Sequence, residues 1–475
     1  MSQTLDRLAA VEKARIAIEV GARHYSYGQL QADVLHAAGA LRAPLSGHRR
    51  VVVVWGDVYR HIVLTLALEA LGLCSGSIVG VNDAASIGLL RHSDAVIAMR
   101  PPDTPVNRPT VIADEAWWQD LANQEPAAPV AWRPEMPHRL ASSSGTTGTP
   151  RATLRTYAQS EHKTRRNGSR IGIDSATRML LRGTFAFQAT HLTVMSCLRA
   201  GATVVFDRDA PFAAAIRDNA ITHAVCVPLD LMASGGKGAD GDPVPHLTIL
   251  AIGGRVSGVQ RRAISGLADK VALIEVYGTN ETGTIAVMEE NGEGDIDADV
   301  RVEIVDDDNH VLSMGEVGRI RSSGPGNLSG YLDPRPEDAA RFDGDWFVTG
   351  DIGRLTAPGR LQVLGRADDV LNLSGVKVPP EELEAHVATL PGIRDACIVS
   401  LFGREATVGT IFVLVLDPGM TMEPAIRAIL AAVPQVTTAK FFQRADLPRT
   451  ESGKLRREEV RRFVSDALDR PKTTT

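Results

Sequence analysis

Ser142-Ser143-Ser144-Gly145-Thr146-Thr147-Gly148-Thr149-Pro150-Arg151 is the stretch that decides how this 475-residue chain folds. Before it lies a strand-like run, His138-Arg139-Leu140-Ala141, and after it a segment from Leu154 to Lys163 that reads as a helix. Glycine lets a loop turn its backbone N–H groups toward one point, and Ser and Thr hydroxyls add donors, so the loop suits an anion, phosphate above all. The G-x-x-x-x-G-K-[ST] spacing of a Walker loop is missing. The same composition also makes ordinary surface loops. Four later stretches discriminate between the two.

On the N-terminal side, residues 1–140 alternate helix-like and strand-like segments. An amphipathic helix is expected over Gly28 to Leu41, an apolar strand over Val51 to Trp55, a helix over Val58 to Leu71 and a strand over Gly76 to Val81. Continuous Val/Ile runs between helices predict parallel strands buried on both faces. The rhythm resumes after the loop, with strands expected at the end of Leu198 to Phe206, at Ala224 to Val227 and at Thr248 to Ile252. The last of these runs into Gly253-Gly254. Ligands bind beyond the carboxyl ends of such strands, so these glycines are candidate ligand-facing backbone, with plain packing glycines as the alternative.

A further strand, Val271 to Val276, leads into Tyr277-Gly278-Thr279-Asn280-Glu281-Thr282-Gly283. An aromatic ring, a glycine and a carboxylate at a strand end can stack a base and hold a cation; a tight turn with a solvated Glu281 is the alternative. Alternating short strands and Gly turns from Val300 to Ser323 predict an antiparallel piece. Trp346-Phe347-Val348-Thr349-Gly350-Asp351-Ile352-Gly353 sets Asp351 between glycines, where a carboxylate can accept from two sugar hydroxyls or merely shape a turn. Gly365-Arg366-Ala367-Asp368-Asp369 is a polar link. Beyond it, strands and helices from Val370 to Arg444 suit a small α+β domain. At its end, Pro448-Arg449-Thr450-Glu451-Ser452-Gly453-Lys454-Leu455 is a glycine-containing loop running into a basic helix.

Composition bounds the function. A chain this long holds more than one core. Its net charge of −6 gives no bulk attraction to nucleic acid or to an anionic membrane. Met1 to Arg15 lacks the apolar core of a signal peptide. The most apolar helix-like run, Ile62 to Leu73, contains Thr65 and Glu69 and is too short to cross a bilayer. Cys74, Cys197, Cys226 and Cys397 form no C-x-x-C pair and read as reduced core thiols of a cytoplasmic protein.

In this order the stretches resemble the adenylate-forming superfamily: acyl- and aryl-CoA synthetases, peptide-synthetase adenylation domains and firefly luciferase. The motifs run from Ser142 to Lys454, with weaker similarity back to Tyr25. The resemblance implies an α/β fold. A large N-terminal domain of doubly wound sheets plus a small β-barrel-like part, residues 1–365, would bind ATP and the acid. A small mobile α+β lid, residues 366–475, would follow it.

The resemblance also assigns roles. Ser143, Ser144, Gly145, Thr146, Thr147 and Gly148 fall on the phosphate loop. Gly253 and Gly254 pass the adenine, Tyr277 packs on it, and Gly278 and Asn280 belong to the same motif. Glu281 matches the Mg²⁺ carboxylate, Asp351 and Arg366 the ribose pair, Asp368 the hinge, and Lys454 the lysine that reaches the carboxylate and α-phosphate. Lys454, Glu281 and Arg366 are the expected catalytic residues. Gly375 and Lys377, in Leu373-Ser374-Gly375-Val376-Lys377, match the pantetheine tunnel of the CoA ligases. The acid pocket is expected near Phe185, Phe187, His191 and Thr279.

The implied reaction is ATP-dependent formation of an acyl-adenylate with release of pyrophosphate, then transfer to a thiol, coenzyme A first among acceptors. A carrier-protein phosphopantetheine or an amine is the alternative acceptor. A degenerate member that binds nucleotide without turnover is the non-enzyme alternative. A monomer or homodimer without nucleic-acid partners is expected. Three departures from the family pattern stand out: Arg151-Ala152 where Lys-Gly is usual, Asn280 where Thr is usual, and no clear aromatic-His signature in Thr184-Phe185-Ala186-Phe187-Gln188.

Overall fold

The structure, a computed structural model, describes the chain except residues 1, 144–149, 228–229, 232–243, 255, 257, 368, 370, 374–375, 379, 403–407, 434–435, 437–438, 450–454 and 470–475. Two large sheets form the bulk of it. The first has six strands, in the order Thr110–Ile112, Ala95–Ala98, Arg50–Val54, Cys74–Ile78, Pro137–Ser142 and Ala152–Thr156. All neighbours are parallel except the final pair, which flanks the Ser/Thr/Gly loop. The Val58–Ala70 helix crosses between adjacent parallel strands and is buried along nearly its whole length. Apart from Arg60, His61, Thr65 and Glu69 its sequence is apolar or aromatic, as suits a helix enclosed by other elements. It shares a core with the Tyr27–Arg42 helix and with strands of the second sheet.

Among the described residues the second sheet has fourteen strands. Ile16–Val20, Thr203–Phe206, Arg178–Leu181, His223–Cys226, Val244–Ala251 and Ala268–Thr279 run parallel in that order. At Ala268–Thr279 the sense changes. Gly283–Met288, Glu293–Ile296, Arg360–Arg366, Trp346–Ala357, Gly318–Ser323 and Arg301–Val305 follow as an antiparallel extension of the same sheet. The small antiparallel part expected from sequence thus continues the sheet, with Arg301–Val305 at its end.

Among the described residues, the strands beyond residue 366 pair only among themselves: Leu371–Leu373 with Val376–Val378, and a sheet of Ile393–Phe402, Val408–Leu416 and Ala439–Gln443. The helices Pro380–Val387, Met422–Ala432 and Arg457–Asp469 pack on this sheet around two cores of its own. Arg457, buried, grips Glu384 through both Nη atoms and so ties the last helix to the first. No described helix is long and apolar enough to cross a membrane. All four cysteines are buried and unbridged.

One sequence expectation is corrected. The helix read from Leu154 starts at Tyr157, and Leu154 and Arg155 belong to the strand Ala152–Thr156. Thr156 caps the helix, its hydroxyl accepting from Gln159 N–H while the Gln159 side chain accepts from Thr156 N–H. That reciprocal cap fixes the start more strongly than the apolar spacing upstream.

Candidate active site

The carboxyl end of Ala268–Thr279, where parallel pairing gives way to antiparallel, brings three of the sequence candidates together. Asp351 and Arg366 face each other across the Trp346–Ala357/Arg360–Arg366 ladder. Arg366 Nη1 lies 3.4 Å from Asp351 Oδ1, and the Tyr277 hydroxyl donates to Asp351 Oδ2 at 2.8 Å. Thr349 Oγ1 accepts from the Asp351 N–H at 3.1 Å and donates to the Ile320 carbonyl, so the carboxylate is held at its root as well. Any Cβ at Gly350 would collide with the Arg366 guanidinium, which therefore lies against bare backbone. Burial, and then the charge of Asp351, push the Tyr277 hydroxyl well above its ordinary pKa, so it stays protonated and serves as a donor. One carboxylate oxygen pair, oriented by a phenol and a guanidinium at a strand end, suits a diol.

Past Tyr277 the chain makes a tight reversal. Gly278 has the Gly283 carbonyl where a Cβ would stand, and Gly283 itself has φ +84°. Thr279 and Thr282 brace the turn, each hydroxyl accepting from the other's backbone N–H at 3.2–3.3 Å. Between them Glu281 is buried. Its Oε1 accepts from the Tyr331 hydroxyl at 2.7 Å, and its carbonyl accepts from Leu328 N–H. A single carboxylate of this kind suits magnesium, which takes one or two protein carboxylates and completes its shell with phosphate oxygens and water. Asn280 turns the other way, its Nδ2 donating to the Ser142 carbonyl at 3.0 Å. This contact joins the Glu281 turn to the strand that enters the Ser/Thr/Gly loop.

Ser143 closes on Arg151, its N–H donating to the Arg151 carbonyl at 2.8 Å and its hydroxyl accepting from the Arg151 N–H at 2.9 Å. Arg151 is paired with Asp338 at 3.0 Å and lies over the Tyr331 ring. Ala152 is buried in regular strand opposite Ser142. Gly253, with φ +87°, follows Val244–Ala251, whose Ala251 pairs with Glu275. Glu275 accepts from Val256 N–H at 2.8 Å and binds Arg261, anchoring the segment after the two glycines. Ser144, Gly145, Thr146, Thr147, Gly148, Asp368, Gly375 and Lys454 lie outside the described residues, as does the Lys377 side chain.

Three of the four acid-pocket candidates adjoin one another: the Phe185 ring lies against His191, whose N–H donates to the Phe187 carbonyl. Phe185 is fully buried, 5.0 Å from His191 and 5.5 Å from His61 between ring centroids. Phe187, 38% exposed, precedes the Gln188–Ala200 helix, and Thr279 belongs to the turn just described. His191 also lines a small chamber of roughly 20 Å³ shared with His138, Arg139, Arg155, Lys163 and Gln188. Burial, then the charge of Arg139, hold His191 well below its usual pKa.

Sequence reading missed Tyr331, Arg155 and Lys163, all of which contact the Glu281 turn. Only Arg155 left a signal: a cation in a short strand that otherwise buries Ala152 and Thr153.

The family model described as AMP-binding enzyme matches residues 5–332. The chain belongs to this family. Among relatives of the AMP-binding enzymes, indoleacetate–CoA ligase from Aromatoleum aromaticum is 27% identical, the match covering 98% of each chain. The 2,3-dihydroxybenzoate–AMP ligase of Bacillus subtilis is 25% identical over 96% of this chain and 92% of its own. The fold matches ATP-bound MatB from Rhodopseudomonas palustris with a TM-score of 0.85, at 19% identity and over 99% of this chain and all of that one. As an AMP-binding enzyme the chain is an AMP-forming acid–thiol ligase: it adenylates a carboxylic acid with ATP, releases pyrophosphate and passes the acyl group to a thiol.

Proposed function

We propose that this AMP-binding enzyme joins an aromatic or arylacetic acid to coenzyme A, with Tyr277, Asp351 and Arg366 holding the adenosine of ATP. The Tyr277–Asp351–Arg366 cluster carries the reading, since it offers a ring edge and an oriented carboxylate at one strand end. The acid class is supported by the relatives, an indoleacetate–CoA ligase and a dihydroxybenzoate–AMP ligase. In this reading Asp351 accepts from the ribose hydroxyls, the Ser143–Gly148 loop donates to the phosphates, and Glu281 faces a magnesium ion. That ion would draw charge from the phosphoryl oxygens.

The carboxylate oxygen of the acid attacks the α-phosphorus, an O–P bond forms, and pyrophosphate leaves. A thiolate sulfur then attacks the acyl carbon and AMP departs. Neither step needs a covalent nucleophile from the protein. Donors, a cation site and a lysine suffice, because such transfers are catalysed by positioning and electrostatics. Lys454 would supply the lysine, Asp368 the hinge on which residues 366–475 turn, and Gly375 with Lys377 the wall of the acceptor tunnel.

The test is acid-dependent pyrophosphate exchange across aromatic, arylacetic and aliphatic acids, followed by mass spectrometry of products formed with CoA and with amines. An acyl-CoA from an aromatic or arylacetic acid is expected. An amide product, or exchange confined to aliphatic acids, would overturn the assignment of acceptor or acid respectively.

A further inference from the structure

Beneath the Glu281 turn, two buried cations converge on one oxygen. Arg155, 1% exposed, donates from Nη2 to the Asn280 carbonyl at 2.5 Å and from Nη1 to Gln188 Oε1 at 2.5 Å. Lys163, 8% exposed on the Tyr157–Ile171 helix, donates to the same carbonyl at 3.2 Å. Among the described residues neither has a carboxylate within salt-bridge distance; their hydrogen-bond partners, Gln188 Oε1 and the Asn280 carbonyl, are neutral. The Lys163 stem runs beside two glycines. A Cβ on Gly326 would stand 3.0 Å from Lys163 Cε and 2.7 Å from the Thr282 carbonyl, and one on Gly283 would stand 3.2 Å from Cε.

Burial and then the charge of Arg155 hold the Lys163 ammonium well below its ordinary pKa, so these two groups are a poor source of stability. They are a good source of geometry. The Asn280 carbonyl belongs to the peptide plane whose N–H is that of Glu281, so fixing this oxygen from two directions fixes where the Glu281 Cα bond points. The Asn280 side chain meanwhile holds the Ser142 carbonyl at the entry to the Ser/Thr/Gly loop. Glu281 also lies close enough to both cations for its charge to oppose the effect of burial on their proton affinity.

We propose that Arg155 and Lys163 are positioning residues that lock the Asn280–Glu281 peptide and thereby set the Glu281 carboxylate against the metal-bound phosphates. This rests on the reading of Glu281 as the metal carboxylate. Neither cation touches substrate; both act through the peptide.

The test compares wild type with Arg155→Met, Arg155→Lys, Lys163→Met and Glu281→Gln. Two readouts are taken: amide hydrogen exchange of the 277–288 segment without ATP or metal, and the Mg²⁺ titration of pyrophosphate exchange. Arg155→Met is expected to speed exchange in that segment while leaving the Ile393–Phe402 strand unchanged. It should also lower kcat roughly tenfold or more and raise the Mg²⁺ requirement, with the acid KM little altered. Arg155→Lys should recover part of the loss, and Lys163→Met should move both readouts the same way by less. Lys163→Met removes a buried charge at nearly constant volume and carries the test where Arg155→Met does not fold. Unchanged segment exchange and Mg²⁺ response in a folded variant would overturn the proposal, as would a loss confined to the acid KM. Glu281→Gln judges the underlying reading separately: an unaltered Mg²⁺ requirement there removes the metal role whatever Arg155 does.

Discussion

Tyr277 donates its hydroxyl proton to Asp351 at 2.8 Å, and Arg366 also contacts that carboxylate. Tyr277→Phe keeps the ring and deletes the donor. A hydrogen bond to a charged group contributes about 1.5–3 kcal/mol, partly recovered by water, so the ATP KM should rise by roughly fivefold to twentyfold with kcat little changed. An unchanged KM for ATP, measured at saturating acid, would show that Asp351 needs no help from Tyr277. Lys454 makes the opposite demand. Lys454→Ala should abolish acid-dependent pyrophosphate exchange while ATP binding, followed by calorimetry, stays near wild type; exchange at the wild-type rate would remove the lysine from the first half-reaction. The residues that motif spacing exposes are those that sit in unbroken runs, such as Tyr277 to Gly283. Tyr331 is fifty positions beyond Glu281 and reaches it only through the fold, so no local pattern could have disclosed it.

At the scale of elements, the link around Asp368 is held from both sides. Ala367 N–H donates to the Gly350 carbonyl on the large sheet, and Asp369 is gripped by Arg461 at 2.5 Å from the Arg457–Asp469 helix. Residue 368 lies between these anchors, and we propose it as the hinge. Proline there would fix φ near about −65° and remove an N–H. Asp368→Pro should therefore retain one half-reaction, adenylation, and lose transfer to the thiol. Pyrophosphate exchange and thioester formation from supplied acyl-adenylate, measured separately, decide it: equal loss of both in a folded variant leaves no hinge at this position.

The alternation of helices and buried strands was legible along residues 1–280 because parallel strands enclosed on both faces must be apolar throughout. Boundaries were less so. Leu154 and Arg155 look helical in sequence, yet the Thr156–Gln159 cap and pairing with Pro137–Ser142 hold them extended. The Ala268–Thr279 strand is much longer than the apolar run Val271 to Val276, since its polar ends are carried by neighbouring strands in the ladder.

For the molecule as a whole, buried histidines tie stability to pH. His61 is fully enclosed, and burial, then the charge of Arg139, bring its pKa down to about 3. In the unfolded chain it titrates near about 6.5. A base that is neutral when folded leaves the unfolded state holding the extra proton, so stability is lost as pH falls from about 6.5 toward 3, by roughly 1.4 kcal/mol per unit for this one group. Between about pH 7 and pH 5 wild type should lose roughly 2 kcal/mol more than His61→Gln. Thermal unfolding of both proteins at the two pH values checks this, and equal losses would remove His61 from the account. The second sheet has a consequence of another kind. Ile16–Val20 sits between Arg23–Ser26 and Thr203–Phe206, with Ile18 opposite Val204. A ribosome adding roughly 5–20 residues per second needs about 10–40 s to deliver that partner after the first strand has emerged. Through that interval the strand's inner edge presents unpaired N–H and C=O groups beside apolar side chains. The nascent chain is thus open to stray pairing at that edge before Tyr277, Glu281, Asp351 or Arg366 has been made.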